Sequence, residues 1–258
     1  MRINQEDLDK RHGAILQLVR ELGEVRSETV ADTFHISMVT VRRDLKLLEG
    51  KGLLRRTHGG ARALGLEPVR VPDSEDVSHC REAISRYAAG FVDDGDTLFI
   101  NGSRTALHLL KYIDGKRVFV NTNNGWAIDE VFPANISVRL VGGLLREHVM
   151  VGEYTMRNLL EMSANKAFLG CAAVYEDGEF RYDIPTEIGI NEAMVTRTDG
   201  RLFMLADHTK LISRADQNNR YGSCTYDRPI TLITDSLADE GIVGHLREKG
   251  IEILIVPV

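Results

Sequence analysis

Residues 37–61 read SMVTVRRDLKLLEGKGLLRRTHGGA, and this stretch decides how the rest of the chain is read. Ser37 stands where a helix N-cap belongs, and Gly50 and Gly52 end the helix that follows it. At about 100° per residue, Val41, Leu45 and Leu48 share one face, while Val39, Arg43 and Lys46 point nearly opposite, flanked by Thr40 and Arg42. Leu53–Thr57 and Ala61–Leu64 then read as two short strands around a His58-Gly59-Gly60 turn. Upstream, Ile15, Leu18, Val19 and Leu22 give the stretch from Gln5 to Leu22 an amphipathic helical face that Gly23 closes. Ser27 is expected to cap a short helix, SETVADTF, with Val30, Ala31 and Phe34 inward and His35-Ile36 as a tight link. Helix, short helix, turn, helix and hairpin make a winged helix-turn-helix.

The outward face of the third helix has DNA chemistry. Arg42 and Arg43 can reach guanine O6 and N7, Lys46 can reach phosphate, and Ser37, Val39 and Thr40 suit phosphate or a thymine methyl. Arg55, Arg56 and His58 stand on the wing, where backbone or minor-groove contact is made. An isolated basic pair is ordinarily just solvated surface. Here two pairs fall at the two positions a winged helix uses. Asp44 lies nearer the packed side and reads as a structural ion-pair partner.

Charge sharpens the point. The 258-residue chain carries −6 overall, which by itself speaks against nucleic acid as a partner. Residues 1–66, however, hold 12 Lys and Arg against 9 Asp and Glu, a net +3 that leaves −9 for the remainder. Residues 41–62 hold 7 basic groups and 2 acidic ones. A short basic module is thus joined to an acidic body.

With 43% hydrophobic and 27% charged residues, the composition is that of a globular protein with a proper core. No apolar run is long enough for a membrane span, and the charged N-terminal stretch lacks a signal-peptide core. Cys80, Cys171 and Cys224 lie far apart without a CxxC pair, which argues against disulfides and for a reducing cytoplasm. The histidines lack HxxxH or HxH spacing, so neither a metal site nor a cofactor is expected.

Residues 1–64 are assigned to the winged helix-turn-helix, 65–78 (rich in charge, with two prolines) to a linker, and 79–258 to a second domain. There, apolar runs alternate with helical patterns. Strands are expected at 97–100, 117–121, 137–141, 166–170, 201–206, 231–234 and 251–256. Helices are expected at 79–92, 105–112, 126–131, 153–162, 186–197 and 236–248. The fold class is α/β with a mostly parallel sheet covered on both faces.

Ligands of such sheets sit at the carboxyl ends of strands. Those ends are small and polar here: Asn101-Gly102-Ser103-Arg104-Thr105, Thr122-Asn123-Asn124, Gly142-Gly143, Gly170 and Asp207 with Lys210. Backbone N–H groups, hydroxyls and a mobile Lys210 ammonium suit a small phosphorylated, hydroxyl-rich ligand. Each element also has a plainer explanation, as a turn, a helix cap or a surface lysine. Trp126 reads as a core or helix–sheet contact, and Cys171 as an inert small hydrophobe.

Residues 11–62 resemble the N-terminal domain of the DeoR family of bacterial sugar-metabolism repressors. The matching elements are Arg11, Ile15 and Val19, then Ser37-x-x-Thr40-Val41-Arg42-Arg43-Asp44-Leu45, then the wing Arg55 to Ala61. The similarity continues through Thr122-Asn123, Gly142-Gly143 with Leu144 and Arg146, Val151-Gly152, Asn165 to Gly170, Glu187, and Ala206-Asp207-x-x-Lys210. It implies a sensor domain with a fold similar to ribose-5-phosphate isomerase that binds sugar-phosphate-type effectors, and it adds Glu187 to the candidate site. It also implies double-stranded operator DNA as partner and a homodimer or homotetramer. One loop departs from the family. Where an acid followed by Ser-Gly-Thr-Thr-Thr is usual, this chain has Asn101-Gly102-Ser103-Arg104-Thr105-Ala106. Either Arg104 clamps the phosphate directly, or the site prefers a more negative ligand; Asn101 also removes a repulsion.

An isomerase would need a general base beside the substrate carbon. After the strand at 166–170 the chain offers Cys171-Ala172-Ala173 and no carboxylate. The expected function is therefore a repressor of a carbohydrate-utilisation operon, released by a phosphorylated sugar. The alternatives are an isomerase-like enzyme or an activator with the opposite sign of response. A DNA-bound structural protein would not need so large a polar-rimmed body.

Overall fold

The computed structural model describes residues 11–16, 18–19, 24–50, 53–57, 59–63, 75–146, 148–182, 186–213 and 222–258. The chain divides into two units, Met1–Pro72 and Asp73–Val258. The expected linker lies outside the described residues up to position 74, and residues 75–78 form the first turn of a helix.

In the first unit, helix α1 is described over 11–16 and 18–19. It is followed by β1 (Glu24–Arg26), α2 (Ser27–Phe34), α3 (Met38–Gly50), β2 (Leu54–Thr57) and β3 (Gly60–Ala63). Ile15, Val19, Val30, Val41, Leu45 and Leu48 from the helices meet Val25, Leu54 and Ala61 from the strands in one core. Two details differ from the sequence reading. Ser27 does not cap α2 with its side chain; Arg26 holds the cap position, and the Ser27 N–H donates to Gly59 O at 2.8 Å. The wing also gains a third strand, because β1 pairs antiparallel with β3 in the order β1-β3-β2. Glycine at 60 makes this approach possible, since a Cβ there would lie 1.8 Å from Val25 O. His35 ends α2 in the left-handed region at φ 51°.

The second unit starts with α4 (Glu75–Ala89), β4 (Thr97–Ile100), α5 (Arg104–His108), β5 (Val118–Thr122) and β6 (Ile136–Leu140). The hairpin β7 (Leu144–Arg146) and β8 (Val149–Val151) leads to α6 (Glu153–Leu160), β9 (Lys166–Gly170), β10 (Ala173–Tyr175) and β11 (Phe180–Arg181). Then come α7 (Thr186–Thr196), β12 (Leu202–Leu205), β13 (Leu211–Ile212), β14 (Ser223–Cys224), β15 (Ile230–Asp235), α8 (Glu240–Glu248) and β16 (Glu252–Val256). Seven strands form a parallel sheet in the order β16-β15-β12-β9-β4-β5-β6.

Alternation along the central strands divides the core in two. Leu98, Ile100, Phe168, Phe203 and Leu205 pack with Ile84 and Ala88 of α4 and Leu107 of α5. Phe99, Ala167, Leu169 and Met204 pack on the other side with Leu159, Ile190, Met194, Val243 and Leu246 from α6, α7 and α8. Both faces are covered, as continuous apolar strands require.

From β4 the chain runs outward to β5 and β6, then returns so that β9 lies on the opposite side of β4. Later strands continue away. Between β4 and β9 the strand order reverses, and such a switch point opens a crevice at the carboxyl ends of the strands. A small sheet, β13-β10-β11-β14, was not legible because its strands have two or three residues. The helix expected at 126–131 is a single 3₁₀ turn, Gly125–Ile128, and the one at 105–112 becomes 3₁₀ after His108.

Candidate functional site

On α3 the Ser37 hydroxyl accepts from Thr40 N at 3.2 Å and lies 2.9 Å from the Thr40 hydroxyl, closing the first turn. Val41, Leu45 and Leu48 are buried, whereas Val39 is 76% exposed and Arg42, Arg43 and Lys46 face solvent. Among the described residues these three cations form no ion pair, so their charge is available to phosphate or base edges. Arg56 is exposed on β2, with its backbone N–H held by Glu49 Oε1 at 2.9 Å. Arg42 and Arg56 border one recess with Ser27, Met38 and Gly59, which brings helix and wing onto a common face. His58 and the Arg55 side chain lie outside the described residues. Asp44 is 1% exposed and takes Arg11 Nε at 2.8 Å and Nη2 at 3.3 Å, the structural role its position suggested.

At the switch point Asn101 acts as a clasp. Its Nδ2 donates to Gly170 O at 2.8 Å and to Asn191 Oδ1 at 2.7 Å, and its Oδ1 accepts from Gly170 N at 2.9 Å and Ser103 N at 3.2 Å. The ends of β4 and β9 are thereby fastened to each other and to α7. Asn101 is not simply an acid with its repulsion removed, because both halves of the amide are in use. Asn191 Nδ2 in turn donates to the carbonyl of Glu187, placing that residue beside the same knot. Thr105 and Gly170 are buried, Gly102 and Ser103 are half-buried, and the Ser103 hydroxyl caps α5 by accepting from Ala106 N at 3.2 Å.

The end of β5 joins this knot. Asn124 Nδ2 donates to Asn101 O at 3.3 Å and Ser103 O at 3.0 Å, and its Oδ1 accepts from Trp126 N at 3.1 Å. The Thr122 hydroxyl accepts from Asn124 N at 3.0 Å. Asn123 is 1% exposed; its Nδ2 donates to Met150 O at 3.1 Å, while among the described residues its Oδ1 has no hydrogen-bond partner. An acceptor buried without a donor is costly. Gly125 N donates to His148 O at 2.6 Å, so the β7–β8 hairpin is fixed over the end of β5. Gly142 and Gly143 have φ of 76° and 124°, and a Cβ on Gly143 would lie 1.9 Å from the Thr155 hydroxyl.

At the end of β12, Asp207 is fully buried and receives Arg81 Nε of α4 at 2.8 Å. Lys210 is not the mobile charge expected from sequence, since its Nζ donates to Cys171 O at 2.8 Å. Burial opposes ionisation of Asp207, but hydrogen bonds from Thr209 and Arg81 and the charges of Lys210 and Arg81 outweigh it, holding its carboxyl below the ordinary carboxylate range. A depressed carboxyl contributes stability that is complete above its unfolded pKa and is lost as pH falls through the folded value. The urea stability gap between wild type and Arg81→Met is therefore expected to be full at pH 7 and to close below about pH 4. A gap independent of pH would contradict the pairing.

One group of metal-ligand types occurs among the described residues. Cys80, His208 and Asp235 bring ligand atoms within 4.8 Å of one another. Histidine spacing gave no sign of it, as the three come from distant segments. Asp235 already accepts from His208 N at 2.8 Å, Leu237 N at 3.0 Å and His208 Nδ1 at 2.9 Å, so the group reads as a hydrogen-bonded brace.

Two family models match. Residues 11–65 fit the DeoR-like helix-turn-helix domain, and residues 77–236 fit the DeoR C terminal sensor domain. The chain belongs to the DeoR family. Similar proteins include the lactose phosphotransferase system repressor of Lactococcus lactis subsp. lactis, 30% identical over 86% of this chain and 89% of that one. The transcriptional repressor CsqR of Escherichia coli is 27% identical over 95% of this chain and 94% of its own length. The uncharacterized regulator YulB of Bacillus subtilis is 28% identical over 96% and 97%. Among solved structures, ribose 5 phosphate isomerase A from Neisseria gonorrhoeae has a TM-score of 0.38 at 12% identity, over 52% of this chain and 53% of that one. That likeness is distant.

In this DeoR-family protein, sequence reasoning missed four residues at the strand ends: Arg81, Asn191, Trp126 and His148. Arg81 and Asn191 sit inside helical patterns with nothing local to mark them, and their partners lie 126 and 90 residues away. Trp126 borders the core. It is half-buried, stacked on the His148 ring at 3.5 Å between centroids, with the Arg104 guanidinium 4.8 Å from its own ring centre. Among the described residues no helix is long and apolar enough to cross a membrane.

Proposed function

We propose that the protein is a transcriptional repressor of a carbohydrate-utilisation operon, released from its operator when a phosphorylated sugar binds at the carboxyl ends of β4, β5, β9 and β12. The observation that carries this reading is the knot of buried amides at the β4–β9 switch point, in a chain whose α3 also presents cations that have no ion pair among the described residues. Asn101, Thr105, Thr122, Asn123, Asn124, Asn191 and Asp207 are all at most 5% exposed at or beside these strand ends. They ring the strand ends where a parallel α/β sheet takes its ligand. The repressor names of the relatives, one of them of a lactose phosphotransferase system, support the same reading.

The working arrangement is a cytoplasmic homodimer or homotetramer whose paired heads, residues 1–64, meet two operator half-sites. The sensor, residues 79–258, binds the effector better in the DNA-free arrangement; equal binding would shift nothing. An enzyme reading finds little support. Aldose–ketose isomerisation needs a base poised near neutrality. The segment that follows β9, Cys171-Ala172-Ala173, offers no carboxylate to serve as that base.

A mobility-shift titration with the DNA upstream of the chain's own gene tests the proposal. Arg43→Ala is expected to weaken specific binding about 10- to 100-fold, the loss of one bidentate base contact of about 1–3 kcal/mol, with non-specific binding nearly unchanged. Sugar phosphate should release the wild-type complex about 5- to 150-fold. Unchanged specific binding in Arg43→Ala would remove α3 as the reader.

A further inference from the structure

We propose that Arg104, mounted on Trp126, is the residue by which this sensor selects an anionic group on its effector. The proposal rests on the reading above that a phosphorylated sugar binds at the switch point, and it names the side chain that tells such a sugar from its neutral counterpart.

The cations near these strand ends differ in what they hold. Arg81 is joined to Asp207, and Lys210 to the Cys171 carbonyl. His108 at the end of α5 and Lys111 in the 3₁₀ turn after it face Glu130 at 3.4 Å and 2.8 Å, so that carboxylate is already engaged. Arg104 is exposed, and among the described residues its guanidinium has no carboxylate partner and no side-chain hydrogen bond; its contact is the Trp126 ring. A π contact orients a guanidinium while leaving its five N–H donors for an anion. Phosphate accepts such a fork bidentately, and this charge-assisted bond is stronger than an exposed cation–π contact. Arg104 would therefore gain by taking up an anion.

The platform is built into the same knot that lines the crevice. Asn124 ties the Trp126 backbone to the carbonyls of Asn101 and Ser103, and the Trp126 ring stacks on His148 at an interplanar angle of 20°. Asn123, next to Asn124 on the chain, keeps its buried Oδ1 without a donor among the described residues.

Trp126 is the single tryptophan of the protein, which makes the test direct. Full-length protein is titrated with ribose 5-phosphate, glucose 6-phosphate, galactose 6-phosphate and fructose 1-phosphate, each beside its unphosphorylated sugar and inorganic phosphate. Thermal shift reports binding, and intrinsic fluorescence reports the charge facing the indole. A sugar phosphate that stabilises the protein should alter Trp126 emission with the same midpoint and bind at least tenfold more tightly than the neutral sugar. Arg104→Ala should weaken the phosphorylated sugar at least tenfold and leave the neutral one within twofold, so the preference collapses; Arg104→Lys should restore part of it. Trp126→Phe should lose the signal and keep the preference. Stabilisation with an undiminished preference in Arg104→Ala would overturn the proposal and leave the sugar-phosphate reading standing. Stabilisation by none of the sugar phosphates would overturn both.

Discussion

Asp44→Ala should unfold the DNA-binding unit at a lower temperature and urea concentration while leaving the sensor unit intact. The carboxylate is 1% exposed and holds Arg11, whose side chain is 18% exposed, at 2.8 Å across 33 residues. This contact joins α1 to α3. Truncating one partner of a buried pair leaves the other charge uncompensated, at a cost of about 3–5 kcal/mol. Arg11 reaches some water, so the lower end, about 3 kcal/mol, is expected. His12 adds to the effect; its Nε2 lies 3.3 Å from Asp44 Oδ1 and makes no hydrogen bond, so the imidazole would lose its nearest carboxylate. The core of this small module holds nine buried apolar residues among the described ones, so a loss of this size is a large part of its stability. Urea melts combined with limited proteolysis would show the N-terminal unit becoming sensitive first, with operator binding lost alongside. A shift below about 1 kcal/mol would mean the pair is incidental.

Asn101→Ala should be the most damaging small substitution in the sensor. The amide is 4% exposed and makes four hydrogen bonds, three of them to Gly170 and Asn191. Alanine would leave the Gly170 N–H and C=O and the Asn191 oxygen buried without partners, at about 1–3 kcal/mol each before water relieves any of them. A net loss of about 3 kcal/mol corresponds to about 6–12 °C in the Tm of a unit this size. Asn101→Asp keeps the two acceptor bonds and loses the two donor bonds. It should fall between, unless Asn191 turns its amide to donate and gives up the Glu187 carbonyl. Calorimetry on both variants checks the order. An Asn101→Ala transition within 2 °C of wild type would show that the clasp carries no load.

Much of the architecture was readable because it is local. The recognition helix follows from the spacing of Val41, Leu45 and Leu48 and from a serine cap four residues before Val41. The central strands follow from short apolar runs; Thr97–Ile100 and Lys166–Gly170 stand where the runs end. Elements of two or three residues have no period to detect, so β1, the β7–β8 hairpin and the small sheet were invisible. The candidate site was legible as a set of strand ends and illegible in its roles. Lys210 looked mobile and is tied down; Trp126 borders the core as expected and also carries Arg104.

By itself the sequence determined that a basic reading head precedes an acidic α/β body, because helical periodicity, capping and charge are properties of neighbouring residues. Only the tertiary structure decided that Asn101 is a clasp, that Arg81 belongs to Asp207, and that Arg104 is left with an aromatic ring for company. Those assignments depend on which strands lie side by side. The reversal of strand order between β4 and β9 sets Asn101 within hydrogen-bonding reach of Gly170, 69 positions away, and the packing of α4 brings Arg81 to Asp207, 126 positions away; no local pattern encodes either adjacency.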